Sequence, residues 1–226
     1  MNYLLLLETS SKNCSVAIAN EHAVLHHRSA SAEHFVHAEQ LHGMMHELIE
    51  ESQLKWEQIA AVAVGKGPGS YTGLRIGVSA AKGLCFSLNI PLIAIETTAL
   101  LAGYAAQQHS DAEAIVPMID ARRMEVYTAQ FDVSGKRMTR DEAVIVDSTT
   151  FASLAPEKLV LVGDGAEKCR ELLDPRVRIL SVLPSADMMH SLAIQAFNDK
   201  RFEDLAYFEP FYLKDYIPGT SVKSVL

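Results

Sequence analysis

The sequence predicts an α/β protein of two related lobes, each a mixed sheet with flanking helices. Three observations carry this. Short apolar runs alternate along the chain with longer stretches of helical periodicity. The order strand, strand, strand, helix, strand, helix, strand, helix is read twice from one end to the other. The length of 226 residues, 49% of them apolar, is enough to give each lobe a core of its own.

The first repeat opens at residues 3–7, where four consecutive leucines read as a buried strand. Glu8 to Asn13 form a polar turn, and residues 15–19 and 23–28 are two more strands joined by short polar turns, a hairpin pattern. A long helix over 32–52 follows, with Leu41, Met44, Met45, Leu48 and Ile49 on its inner side. It carries His34, His37, His42 and His46. No carboxylate accompanies them in the H-E-x-x-H arrangement of a zinc helix, so they read as solvated.

The stretch 59–81, IAAVAVGKGPGSYTGLRIGVSAA, organises the rest. A strand over 59–64 turns through Gly65, Gly67, Pro68 and Gly69 into a helix over 72–88. The P-loop spacing fails in every register, because no second glycine falls five residues on and no lysine follows; G-x-G-x-x-G fails as well. Two readings stay open: a turn that needs positive φ at its glycines, or a strand-to-helix loop that holds a phosphate or a partner. Leu74, Val78, Ala81, Cys85 and Leu88 form one helix face. Gly73, Gly77 and Gly83 lie in or beside the same helix, each costing about 1 kcal/mol relative to alanine. That cost points to close approach of another backbone, from this chain or from a second subunit. A strand over 91–95 and a helix over 97–107, with Thr97 or Thr98 as its cap, complete the repeat.

The second repeat reads strands 114–120, 125–131 and 138–146, a short helix over 148–155, strand 159–162, a helix to 173, strand 177–180, and a helix capped by Ser185 that runs to 198. The lobes divide as 1–108 and 109–226. Four polar turns are expected to face the cleft between them: 8–13, 66–72, 120–123 and 163–165. Gly67, Gly69, Ser70 and Thr72, with Gly163, Asp164 and Gly165, are the candidates for a weak nucleotide site.

Composition limits the function. The net charge of −8 is spread along the chain without a basic run, which argues against strong independent binding of nucleic acid. Cys14, Cys85 and Cys169 are scattered and read as small core residues in a reducing compartment. The N-terminal leucines lack a basic flank and are too few for a membrane span, so a cytoplasmic protein without membrane attachment is expected.

Five segments together, LLLETSSKNCSVAI, VGKGPGSYTGLRIGVSAAKGL, IDARRMEVYTAQF, VGDGA and EPFYLKDY, resemble the TsaB (YeaZ) family of bacterial tRNA threonylcarbamoyladenosine biosynthesis proteins; GKGPGSYTGLRIG is the most specific. The resemblance covers essentially the whole chain and implies the actin-like ATPase (ribonuclease H-like) fold. It also implies a non-catalytic partner of TsaD, the enzyme that transfers threonylcarbamoyl to the adenosine beside the anticodon in tRNAs reading codons that begin with A. The implied assembly is a heterodimer with TsaD, joined by the ATPase TsaE, with tRNA bound only within the complex and a homodimer when the chain is alone. No cofactor is required, though weak ATP or ADP binding is implied for the loops named above. The surface carried over for pairing is Thr72, Gly73, Leu74, Gly77, Val78, Ala80 and Ala81.

Two departures bear on catalysis. Where TsaD-like enzymes carry a His-x-x-x-His metal motif, this chain reads Glu96-Thr97-Thr98-Ala99-Leu100-Leu101, and the first turn has Glu8 where family members commonly have Asp. The alternative is an actin-like-fold enzyme, an ATPase or a glycoprotease-like peptidase, using Glu8, Asp120 and Asp164 in its own inter-lobe cleft. Against it, the two aspartates are explained by turn chemistry and Glu8 reads as a solvated residue at a strand end.

Overall fold

A computed structural model describes residues 2–31 and 37–214. Its first sheet contains β1 (Tyr3–Glu8), β2 (Asn13–Ala19), β3 (Val24–Ser31), β4 (Ile59–Gly67) and β5 (Leu92–Glu96), in the order β3-β2-β1-β4-β5. Its second contains β6 (Ala114–Asp120), β7 (Glu125–Thr128), β8 (Glu142–Ile145), β9 (Leu159–Val162) and β10 (Arg178–Leu180), in the order β10-β9-β6-β7-β8. Read from its own first strand, each sheet has the same order, 3-2-1-4-5. The senses repeat too: strands one, two and three are antiparallel neighbours, and strands one, four and five are parallel. The duplication expected from element order is therefore a duplication of topology.

The leucine run is the centre of the first sheet. In β1, Leu6 faces Ala17 across an antiparallel pair and Ala63 across a parallel one. Side chains alternate between faces along a strand. Leu5 and Leu7 therefore join the core beneath α1 (His37–Glu51) and α2 (Tyr71–Leu88), whereas Leu4 and Leu6 join the core on the other face. That second core is shared between the lobes. It also takes α3 (Thr97–Gln108), Ile115 and Ile119 of β6, Phe131, and α4 (His190–Asn198). Beyond α4 the chain returns to the first lobe, where Glu203 bridges Leu92.

The second lobe is leaner in helix than the sequence pattern predicts. Residues 148–155 form turns, because Asp147 Oδ1 accepts from the Thr149 amide and from the hydroxyls of Thr149 and Thr150. Such bonds compete with a helix for the same backbone. The segment before Pro175 is a 3-10 helix, Glu167–Leu172, and not an α-helix. Strand 138–146 shortens to β8, since residues 132–136 fold around Asp132. Glu96, not Thr97 or Thr98, takes the position ahead of α3. Ser185 precedes a 3-10 turn, Ala186–Met189, that leads into α4.

On α1, His42 and His46 are exposed, but His37 is wholly buried and burial depresses its basicity, so the solvated reading fails for that residue. His34 lies outside the described residues. Cys14, Cys85 and Cys169 are buried free thiols, as expected, with burial pushing Cys14 to about 12 and Cys85 to about 11. No helix among the described residues is long and apolar enough to cross a membrane.

Candidate functional site

The four polar turns fold together in two pairs, one per lobe, at equivalent places in the repeated topology. In the first lobe the β1–β2 turn meets the β4–α2 loop: the Ser70 amide donates to Ser10 O at 2.6 Å. In the second, the β6–β7 turn meets the loop after β9. There the Asp120 amide donates to Asp164 Oδ1 at 2.9 Å and the Gly165 amide to Met118 O at 2.8 Å.

In the first pair, residues 8–10 lie in a groove cut by glycines. A Cβ on Gly65 would stand 2.3 Å from Glu8 Oε2, one on Gly69 2.3 Å from Ser10 O, one on Gly73 2.1 Å from Thr9 O, and one on Gly77 2.2 Å from Thr9 Oγ1. None of these distances admits a carbon. The glycine cost in the helix is therefore offset by close approach of the chain's own β1–β2 corner. Glu8 is 0% exposed. Its Oε1 accepts from the Ser10 amide at 2.6 Å, while among the described residues Oε2 lacks a hydrogen-bond partner, as do Thr9 Oγ1 and Ser10 Oγ. Burial raises the Glu8 carboxyl above the ordinary glutamate range. The solvated reading of Glu8 is thus overturned: the carboxyl is buried within the chain's own corner.

The nucleotide candidates are used by the chain itself. Gly67 takes φ +108°, a region favouring glycine, before a cis Gly67–Pro68 bond, and a Cβ there would lie 2.7 Å from Phe211 O. The Phe211 amide donates to Lys66 O at 2.7 Å. Ser70 caps α2, accepting on Oγ from the Gly73 amide, and Thr72 is exposed in the first turn. In the second pair Gly163 takes φ +128°, and its amide donates to Leu180 O. Asp164, itself raised by burial, serves the Asp120 amide, and Asp120 Oδ1 accepts from the Arg122 amide and the Lys168 ammonium. Asp120 and Asp164 therefore do turn chemistry. Residues 203–214 form a strap across both pairs: Phe211 touches the glycine loop and Lys214 pairs with Glu125 at the start of β7.

The pairing surface carried over by resemblance is redistributed. Gly73, Leu74, Gly77, Val78, Ala80 and Ala81 are buried within this chain; of the seven, Thr72 alone is exposed. The outward face of α2 is Thr72, Arg75, Ser79, Gly83 and Phe86, the last 81% exposed, with Ile76 half-buried among them. A Cβ on Gly83 meets nothing within 4 Å, nor does one on Gly43 of the neighbouring α1. Periodicity placed the apolar face inward correctly; what it could not tell was which glycines face an obstacle and which face open space.

Two further groupings bear on enzymatic readings. Ser185, His27 and Asp187 stand together, with Ser185 Oγ 3.1 Å from His27 Nε2 and Asp187 Oδ1 3.4 Å from that same nitrogen. A hydrolytic triad needs the carboxylate on the other ring nitrogen, so that it orients the base; this trio instead ties β3 to the start of α4. Among the described residues no three His, Cys, Asp or Glu side chains are grouped as a metal site.

Comparison with known proteins agrees with this geometry. The family model described as TsaD: tRNA N6-adenosine threonylcarbamoyltransferase matches residues 29–218. A tRNA threonylcarbamoyladenosine biosynthesis protein TsaB of Haemophilus influenzae is 30% identical, over 95% of this chain and 94% of that one. A crystal structure from Pseudomonas aeruginosa, described as an uncharacterized protein with similarity to peptidase YEAZ, superposes with a TM-score of 0.79 at 30% identity. It covers 95% of this chain and 100% of that one. At the level of fold alone, the activator of 2-hydroxyisocaproyl-CoA dehydratase from Clostridium difficile, solved with ADPNP bound, superposes with a TM-score of 0.50 at 10% identity. That match covers 89% of this chain and 98% of that one. The repeated two-lobe sheet is the actin-like, ribonuclease H-like fold.

Proposed function

The chain belongs to the TsaB family of tRNA threonylcarbamoyladenosine biosynthesis proteins, and from that premise we propose that it serves this tRNA modification as a non-catalytic partner of a TsaD-type transferase. The observation that carries the reading is the closed corner at Glu8. An actin-like ATPase needs a carboxylate at the first hairpin to manage metal and phosphates. Here that carboxyl lies against Gly65, is wholly buried and is held toward its neutral form. The loops that would cradle phosphates use the amides of Ser70, Gly73, Gly163 and Gly165 on their own chain. The reading requires no cofactor, and the protein works in the cytoplasm with its tRNA.

The pairing face is the outward side of α1 and of the C-terminal half of α2, from Ser79 on, with Gly43 and Gly83 as the points where another helix approaches closely and Phe86 as its apolar anchor. The same face pairs two copies when the chain is alone and yields to TsaD when that partner is present; TsaE and tRNA join the heterodimer. Gly83→Arg tests this cleanly, since its side chain enters open space and a better helix former replaces glycine. Light scattering is expected to find the variant monomeric and unable to pair with TsaD, with its far-ultraviolet circular dichroism unchanged. Unchanged masses, alone and mixed, would reject the face.

Nucleotide is tested separately. A ligand at a hundred times its Kd adds about 2.7 kcal/mol to stability, several degrees for a chain of this size. Millimolar Mg-ATP is expected to move the thermal midpoint by less than about 1 °C. A shift of several degrees, lost in Asp164→Asn, would place a nucleotide site in the cleft, and ATP turnover abolished by the same substitution would return it to an enzyme.

A further inference from the structure

Seven of the ten arginines, Arg28, Arg137, Arg140, Arg170, Arg176, Arg178 and Arg201, pair with a carboxylate. Among the described residues the three without such a pair are Arg75, Arg122 and Arg123. In a chain of net charge −8, with carboxylates in excess, three unpaired guanidiniums call for an account.

They lie along one surface, joined by the strap. Arg75 projects from the exposed side of α2, with its guanidinium carbon 4.3 Å from the centre of the Tyr71 ring and 5.9 Å from that of Tyr212. The two rings are 4.7 Å apart, and Arg75 Nε donates to Tyr212 Oη at 3.2 Å. Two residues on, Lys214 reaches Glu125 at the foot of the β6–β7 turn. Arg122 and Arg123 occupy that turn, both exposed. The turn holds the two arginines at φ 72° and 51°, the left-handed region, which glycine or asparagine occupies at less cost. The turn thus keeps two uncompensated cations at a place where folding alone favours other residues.

We propose that this stripe, from Tyr71, Arg75 and Tyr212 through Lys214 to Arg122 and Arg123, is where the chain docks RNA. The proposal rests on the reading of the protein as a tRNA-modification partner. Its chemistry is that of a weak, auxiliary contact. Two arginines and a lysine meet phosphates, while the Tyr71–Arg75–Tyr212 stack offers rings and a guanidinium plane to an unpaired base. This also explains how an acidic chain contributes to RNA binding inside a complex without binding strongly by itself: the attraction is local and the rest of the surface repels.

The test is the complex of this chain with its TsaD-type partner, titrated with a fluorescent unmodified tRNA transcript over a range of salt. The variant carries Arg75→Gln, Arg122→Asn and Arg123→Asn; asparagine suits the left-handed turn, so the fold is retained, which the thermal midpoint checks. Arg140→Gln, an exposed and ion-paired position elsewhere, is the control. The variant complex is expected to form at full mass and to bind the transcript at least about tenfold more weakly, with a salt slope shallower by roughly 0.7–0.9 per lost phosphate contact. The control is expected to match the parent. Equal affinity and slope in variant and parent overturn the surface while leaving the partner reading intact. Loss of the complex in the variant overturns it in favour of a protein contact at the stripe. Absence of both complex and RNA binding in the parent overturns the partner reading and this proposal together.

Discussion

Gly73→Ala is expected to destabilise the protein by about 2 kcal/mol or more, whereas Gly83→Ala, ten residues along the same helix, is expected to stabilise the single chain by about 1 kcal/mol when both are measured at a concentration too low for copies to pair. Propensity alone predicts a gain of about 1 kcal/mol for both. The difference lies in what the new methyl meets. At Gly83 it meets nothing within 4 Å. At Gly73 it would stand 2.1 Å from the carbonyl oxygen of Thr9, a backbone atom flanked by Glu8 and Ser10, which are themselves wedged against Gly65 and Gly69. A side chain could rotate away; this corner cannot. Overpacking a closed site costs about 1–3 kcal/mol, occasionally more, and here there is no direction in which to relax. At about 2–4 °C per kcal/mol, thermal unfolding of the two variants should move the midpoint in opposite directions. Gly77→Ala should fall between, because its obstacle is the Thr9 hydroxyl, a group that can turn. Equal midpoints for Gly73→Ala and Gly83→Ala would mean that the groove is not closed in solution.

These glycines also mark the limit of what the sequence could tell. The order of elements was legible from period and punctuation, and it delivered both sheets, because alternation of leucine faces in β1 and helical spacing in α2 are local signals. In the second lobe the helix ending at Asn198 was legible, whereas the two expected over 148–155 and up to 173 were not. Asp147 captures Thr149 and Thr150, a competition that apolar spacing does not register. Within the site, the glycine loop, the Asp120 turn and the Gly163 loop were all placed at the correct ends of their strands. What was missed was direction. Gly73 and Gly77 were left open between this chain and a second subunit, with the resemblance favouring a partner; the occupant is residue 9 of the same chain. A partial signal did exist: Gly73 and Gly77 are four apart in α2, a spacing that puts them on one face of a helix, and Gly65 and Gly69 lie in the strand and loop just before it. A row of glycines beside a short polar turn describes a groove for that turn. Glu8 was misread for a related reason. A carboxylate in a polar turn is solvated by default, and only the glycines around it make burial sterically feasible. The arginine stripe was invisible because it is assembled from residues 71–75, 122–123 and 212–214, distant in sequence and joined only by the strap.

The stability of the protein is expected to fall as pH rises above the ordinary glutamate range, and Glu8→Gln is expected to remove that fall. The sign follows from where the proton sits. Burial of Glu8 without a partner for Oε2 raises its folded-state pKa above the unfolded value. Below the unfolded value both states carry the proton and Glu8 contributes no pH dependence. Between the two values the unfolded chain releases the proton and the folded chain retains it, so each pH unit removes up to about 1.4 kcal/mol of stability. Above the folded value the penalty is constant. Glutamine keeps the shape and the acceptor for the Ser10 amide, but places an amide nitrogen against Gly65, at its own cost of about 1–3 kcal/mol for unmet donors. The absolute stability of the variant is therefore a poor readout and the slope a good one. Chemical denaturation between pH 5 and pH 8 should give a variant-minus-parent difference that grows with pH. Parallel curves would show Glu8 to be ionised in the folded state, reached by water or a counter-ion. That outcome would matter beyond stability. An ionised Glu8 at the end of β1, beside the N-terminus of α2, is the arrangement from which metal and phosphate chemistry could begin. A neutral one, buried against Gly65, leaves the first lobe only its outer surface to work with, which is what a partner protein needs.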